Sequence, residues 1–148
     1  MKLPIYTWNE EDGIATCTIV DKQGRVFLGE AHAHPTDKDF ANEKTGYMIA
    51  EIRAHISQLQ SAKRDILQPQ LAALKQLYYS MNRSSEFDPN SYENYMLHRQ
   101  IRLKEDDLAA VNEEIATYKK FLKGYIDEKD KLYISLRRRR GEQAGKSN

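Results

Sequence analysis

The chain contains a single cysteine, Cys17, so no intrachain disulfide can form. That excludes a disulfide-stapled secreted scaffold and points to a reducing compartment. Cys17 falls in a predicted strand, where a thiol serves more readily as a small core residue than as a nucleophile. Long hydrophobic runs are missing too. No stretch approaches the roughly 18 to 20 apolar residues that a membrane span needs. The opening MKLPIYTWNEEDG has no apolar h-region, so no signal peptide is expected and the protein is read as cytoplasmic. The net charge of +1 removes any global electrostatic argument for a nucleic-acid or acidic partner. Catalytic signatures are also lacking. No Ser-His-Asp order, phosphate loop or carboxylate pair stands out, so no catalytic residue, cofactor or enzymatic activity is assigned.

What is present first is a short β-rich segment, residues 4–34. Residues 4–9 are rich in aromatic and β-branched side chains and predict a strand. Residues 14–20 alternate Ala15, Cys17 and Ile19 against Thr16, Thr18 and Val20, the period of a half-buried strand. Turns at residues 10–13 and 21–24 connect these to a third strand, residues 25–34, interrupted by Gly29. A three-stranded meander is marginal alone, so its apolar face must pack on a helix.

Pro35 closes the sheet, and a polar connector with one buried candidate, Phe40, leads to the first helix, residues 45–81, with Thr45 as its cap. Ile49, Ile52, Ile56, Leu59 and Ile66 step by helical spacing, with Lys63 breaking the row. Pro69 would cost about 3 kcal/mol in a straight helix, so a kink or restart is expected there. Beyond it the stripe resumes one position out of phase at Leu67, Leu71, Leu74, Tyr78 and Met81. Asp88 and Pro89 read as cap and first-turn proline of a second helix, residues 89–136. From Ile101 its apolar residues follow a seven-residue repeat, with Lys104 the polar exception, which argues for a paired-helix seam. Residues 132–136 also alternate, so a short strand is the competing assignment there. The tail, residues 141–148, has no periodicity and is expected to be flexible. The fold class is therefore α+β: one domain over residues 1–140, a small antiparallel meander followed by two long helices in an antiparallel hairpin. The apolar stripes exceed what one hairpin covers, so a homo-oligomer, dimer or higher, is expected.

Chemistry concentrates at the tip of that hairpin. Aromatic faces from Tyr78, Phe87, Tyr92 and Tyr95 gather there with Asn82, Asn90 and His98. Arg99 and Arg102 follow on the second helix, and Arg53 near the sheet is a further candidate. Aromatic rings stack on nucleobases, amides meet base edges, and guanidinium forks clasp phosphates. The same mixture also suits the end of a helix bundle, with tyrosine hydroxyls reaching water. Arg137, Arg138, Arg139 and Arg140 form a second basic feature, open to phosphate or nucleic acid or simply complementing a helix C-terminus. His32 and His34 share a strand face near Asp37 and Asp39. They suit a strand edge, a ligand contact or zinc, but no cysteine cluster or second histidine pair supports a metal, and none is assigned.

The stretch GEAHAHPTDKDFANEKTGYMIAEIRA, residues 29–54, links a His-Pro strand end, an acidic connector, a Thr-Gly helix start and an arginine. It resembles a segment of small phage and prophage proteins. With the small sheet and two long helices, the plan is similar to the phage-encoded Thoeris anti-defence sponge family. That resemblance implies an oligomer that sequesters a cyclic ADP-ribose signal, in some members also cyclic oligonucleotides, in the host cell and without chemistry. It assigns no residue role in this chain. Capture of a cyclic nucleotide at a subunit interface is accordingly the expected function. A protein-binding inhibitor or scaffold acting on a host defence protein is the first alternative, and a nucleic-acid binder through residues 137–140 the second.

Overall fold

A computed structural model describes residues 3–33, 42–84 and 86–146, with side chains described as far as Gly141. The β-rich segment forms β1 (Ile5–Asn9), β2 (Ile14–Val20) and β3 (Val26–His32). They make one antiparallel sheet in the order β1-β2-β3, the meander expected from the alternating pattern. Gly13 and Gly24 supply the positive φ that the two connections require, at 64° and 82°. The second turn is held by Asp21, whose Oδ1 accepts from the N–H groups of Gln23 and Arg25. Its Oδ2 accepts from Arg25 Nε at 2.7 Å.

Partial burial pushes the Asp21 carboxyl upward, but the hydrogen bonds from the Arg25 backbone and guanidinium and from the Gln23 backbone outweigh it. The net position lies below the ordinary carboxylate value. A depressed carboxylate adds stability above its unfolded pKa and loses it as pH falls through the folded one. Acidification is therefore expected to loosen this turn, and Asp21→Asn to abolish that pH dependence. The amide shift of Gly24 followed by NMR between neutral and acid pH is the readout, and identical titrations of the two proteins would refute it.

Alternation decides the two faces of the sheet. Ala15, Cys17, Ile19, Phe27 and Ala31 are buried on one side. On the other, Ile5, Val26 and Leu28 are 59%, 63% and 51% exposed. Cys17 is fully buried, and burial followed by the nearby Glu51 charge pushes its thiol above the ordinary value, as suits a core residue. Helix α1 (Glu43–Ala62) covers the buried face through Ala50 and Ala54. The fit is governed by small residues. A Cβ at Gly29 would lie 1.9 Å from Ala50 O and 2.5 Å from Ala54 N, and one at Gly46 would lie 2.7 Å from Ala15 Cβ. Gly29 is thus not a weak point in β3 but the place where strand and helix backbones meet.

Several sequence expectations need correction. Asn42, not Thr45, caps α1: its Oδ1 accepts from Thr45 N–H at 2.8 Å, and its carbonyl accepts from Gly46 N–H. Asparagine caps at least as well as threonine, and Thr45 is buried one turn in. The third strand ends at His32, and His34, Asp37, Asp39 and Phe40 lie outside the described residues. The restart expected at Pro69 is present: α1 gives way to an irregular turn and a new α-helix begins at Gln68, one residue before the proline. A π-helical turn, Lys63–Leu67, joins α1 to α2 (Gln68–Asn82), with Gln68 N–H donating to Lys63 O. Pro69 then falls in the first turn of α2, where its missing N–H is least costly. The last helix, α3 (Tyr92–Lys146), starts three residues after Pro89 and runs well past Leu136. Residues 132–136 are helical, and the segment expected to be a flexible tail continues as helix to Lys146.

The chain groups into two compact units. One comprises Met1–Gln58 with Thr117–Asn148, the other Leu59–Ala116. In the first, α1 pairs with the later part of α3, and His55 stacks on Tyr118 with centroids 5.9 Å apart. In the second, α2 pairs with the early part of α3. Lys75 reaches Glu105 at 3.5 Å, and Tyr78 meets His98 at 4.6 Å. Partner numbers fall as α2 advances, so the pairing is antiparallel. Leu71, Leu97 and Ile115 are buried, while Ile101, Leu108 and Val111 of the heptad row are half-buried.

Gly124 interrupts α3 with open space around it: an added Cβ would meet nothing within 4 Å. Gly124→Ala is expected to stabilise the protein by about 1 kcal/mol through helix propensity. A lowered midpoint in thermal circular dichroism would contradict the open-space geometry.

Candidate ligand-binding site

The tip of the second unit is built by three local hydrogen-bonded devices. At the end of α2, Arg83 N–H donates to Tyr79 O and Ser84 N–H to Met81 O, turning the chain out of the helix. Residues 88–91 then form a tight turn. Asp88 O accepts from Ser91 N–H, and Asp88 Oδ1 accepts from Asn90 N–H at 2.9 Å. Asp at the first position and Pro at the second suit a type I turn. That turn explains why Asp88 and Pro89 do not open the helix. Ser91 does so instead: its Oγ accepts from Asn94 N–H, and its carbonyl from Tyr95 N–H.

The result is a concavity of about 850 Å³, within the usual size of a small-molecule site. Asn82, Phe87 and Asn90 line it from the end of α2 and the loop. Tyr95, Arg99 and Arg102 line it from α3, with spacings of four and three that place them along one side of the helix. Eight of the ten residues singled out from sequence are therefore gathered here, among them Tyr78 and His98, packed edge to face. The pocket is open: Tyr95 is 61% exposed, and both arginine side chains face solvent.

Its electrostatics lean positive. No aspartate or glutamate lines it among the described residues, although Glu86, Asp88 and Glu93 face the adjoining hollow beyond Phe87 and Ser91. The neighbouring Glu105 is engaged with Lys75, and Arg99 and Arg102 make no ion pair among the described residues. The positive end of the α3 dipole lies beside the same wall. Two uncompensated guanidinium forks, three aromatic rings and several amides can hold a planar group bearing an anion.

Two expected residues are placed elsewhere. Tyr92 is the first residue of α3, 72% exposed and outside the pocket wall. Arg53 belongs to the other unit, where Nη1 donates to Glu30 O at 2.7 Å. There it lines a separate pocket of about 320 Å³ with Trp8, Ile49, Lys129, Asp130 and Tyr133. Two cations, Arg53 and Lys129, face that smaller pocket with one anion, Asp130, so its charge is partly compensated. The four arginines at residues 137–140 continue α3 in exposed positions. Successive helical residues point about 100° apart, so these side chains fan around the axis instead of forming one basic face. His32 pairs with Glu30 at 3.1 Å, and no cluster of three metal-ligating side chains occurs among the described residues.

Asn94, like Ser91, is a pocket residue that the sequence reading missed. It lies four residues before His98 and eight before Arg102, a helical row that becomes visible once Ser91 is recognised as the cap. Compared with known protein families, with curated proteins and with solved structures, the chain matches none.

Proposed function

We propose that this protein is a non-enzymatic binder that captures a small nucleotide in the tip pocket. The observation that carries this is the meeting of Phe87 and Tyr95 in one pocket with Arg99 and Arg102, which make no ion pair among the described residues. In this reading an aromatic ring stacks on the base, the two guanidinium groups take the phosphate, and Asn82 and Asn90 address polar edges. The half-buried heptad row supports a homo-oligomer in which a second copy covers the open side of the pocket. The resemblance of residues 29–54 to the phage anti-defence sponges narrows the ligand to a cyclic ADP-ribose isomer or a cyclic oligonucleotide. Sequestration of such an immune signal in the host cytoplasm needs affinity near the nanomolar range, about 12 kcal/mol.

Calorimetry of the full chain against cyclic ADP-ribose isomers and cyclic di- and trinucleotides tests the proposal. Saturable binding of one class, at one site per pocket, is expected. Silence across the panel would overturn it. The exposed apolar side chains of Leu77 and Leu103 favour, as a second reading, a helical surface that docks on a host protein. That reading predicts stoichiometric capture of a protein and no small molecule released on denaturation.

A further inference from the structure

The smaller pocket, about 320 Å³, lies wholly within the first unit and has no part in the nucleotide reading. Two helical rows and one strand wall it. Thr45, Ile49 and Arg53 recur every four residues along α1, while Ile126, Asp130 and Tyr133 follow spacings of four and three along α3. Trp8 of β1 joins them. Trp8 and Ile49 rest against the buried core cluster, so the apolar wall is preformed. The charges stand apart from one another. Arg53 is anchored by Nη1, which donates to Glu30 O at 2.7 Å and leaves the rest of the guanidinium fork for another acceptor. Asp130 is exposed and makes no ion pair among the described residues. An acid and a base therefore line one pocket without meeting. The second cation, Lys129, lies over the Tyr125 ring at 5.3 Å.

We propose that this pocket binds a free α-amino acid with a large apolar side chain. The ligand's side chain packs among Trp8, Ile49, Ile126 and Tyr133, its carboxylate meets the Arg53 fork, and its ammonium meets Asp130. A zwitterion satisfies the acid and the base together. A ligand with one charge leaves the other protein charge facing it without a partner and with part of its water removed, and a site built around polar contacts rejects such an analogue. The volume is at the small end of ligand sites, which suits one amino acid better than a nucleotide with base, sugar and phosphate. The proposal does not rest on the tip pocket or on its ligand.

Trp8 is the single tryptophan of the chain, so its emission reports on this pocket directly. The experiment titrates the unmodified full chain with L-phenylalanine, 3-phenylpropionate and 2-phenylethylamine, each to millimolar concentration, and reads Trp8 emission and calorimetry in parallel. The second probe lacks the ammonium and the third lacks the carboxylate. L-phenylalanine is expected to saturate the site and to bind ten-fold or more tighter than either. Asp130→Asn, at an exposed position with no ion pair to lose among the described residues, is expected to remove the preference for L-phenylalanine over 3-phenylpropionate. Silence of L-phenylalanine in both readouts overturns the site. Equal or tighter binding of a singly charged probe, or an Asp130→Asn variant that keeps the preference, overturns the zwitterion as its ligand. Loss of L-phenylalanine binding when Arg99→Ala and Arg102→Ala are combined would place the ligand at the tip and overturn the assignment as well.

Discussion

Gly29→Val is expected to abolish the folded state of the sheet and α1. The first atom of any side chain at this position would sit 1.9 Å from a backbone oxygen and 2.5 Å from a backbone nitrogen of α1. Neither is the tip of a flexible side chain, so relief requires the helix to lift from the strand. Lifting it uncovers Ala15, Cys17, Ala31, Ala50 and Ala54 together, because these form the contact layer. Overpacking usually costs about 1 to 3 kcal/mol, and a clash with two backbone atoms should exceed that range. Loss of cooperative unfolding in urea, together with rapid alkylation of Cys17, is the expected result. A variant with a native-like midpoint and a protected thiol would show that the close approach is not as described. Gly124→Ala is the matched control, since the same kind of change in open space has the opposite sign.

Removing both guanidinium groups, with Arg99→Ala and Arg102→Ala combined, is expected to weaken nucleotide binding at least about 100-fold, about 2.7 kcal/mol. Hydrogen bonds between charged groups contribute roughly 1.5 to 3 kcal/mol each, so two exposed arginines acting on one phosphate suffice for that loss. Their removal should leave the fold intact, because both side chains face solvent and neither holds an ion pair among the described residues. The double variant should also bind with a shallower salt dependence than the parent. Unchanged affinity in a protein with an unchanged thermal midpoint would remove the tip as the phosphate site. Substituting Arg138 and Arg139 instead, in the other unit, should leave binding as it was.

Strand boundaries were legible because alternation and glycine turns are local signals. Ala15, Cys17 and Ile19 could only face one way once residues 14–20 were extended. The pocket was legible in large part for a similar reason: Asn82 and Phe87 are close in sequence to Asn90, Tyr95 and Arg99, and a hairpin brings its two ends together. Arg53 lies near the sheet, as read, and so in a different unit from the tip residues, a separation that sequence alone does not give. The helix start was misplaced because Asp-Pro serves a type I turn as well as a first helical turn, and only Ser91 Oγ on Asn94 N–H decides between them. Gly29 read as an interruption, because the closeness of two backbones is a property of packing and leaves no mark in a single strand.

The turn at Lys63–Leu67 has a consequence for how this chain tolerates change. Rows of greasy side chains before and after it differ by one residue in their count, and the wider winding supplies that residue. In an ordinary helix a single extra residue swings everything downstream by about 100° and points the wrong edge at its neighbour. Here the surplus is swallowed within five residues, so Leu71 stays covered and Tyr78 still reaches His98. The irregular coil acts as a vernier between two incompatible scales.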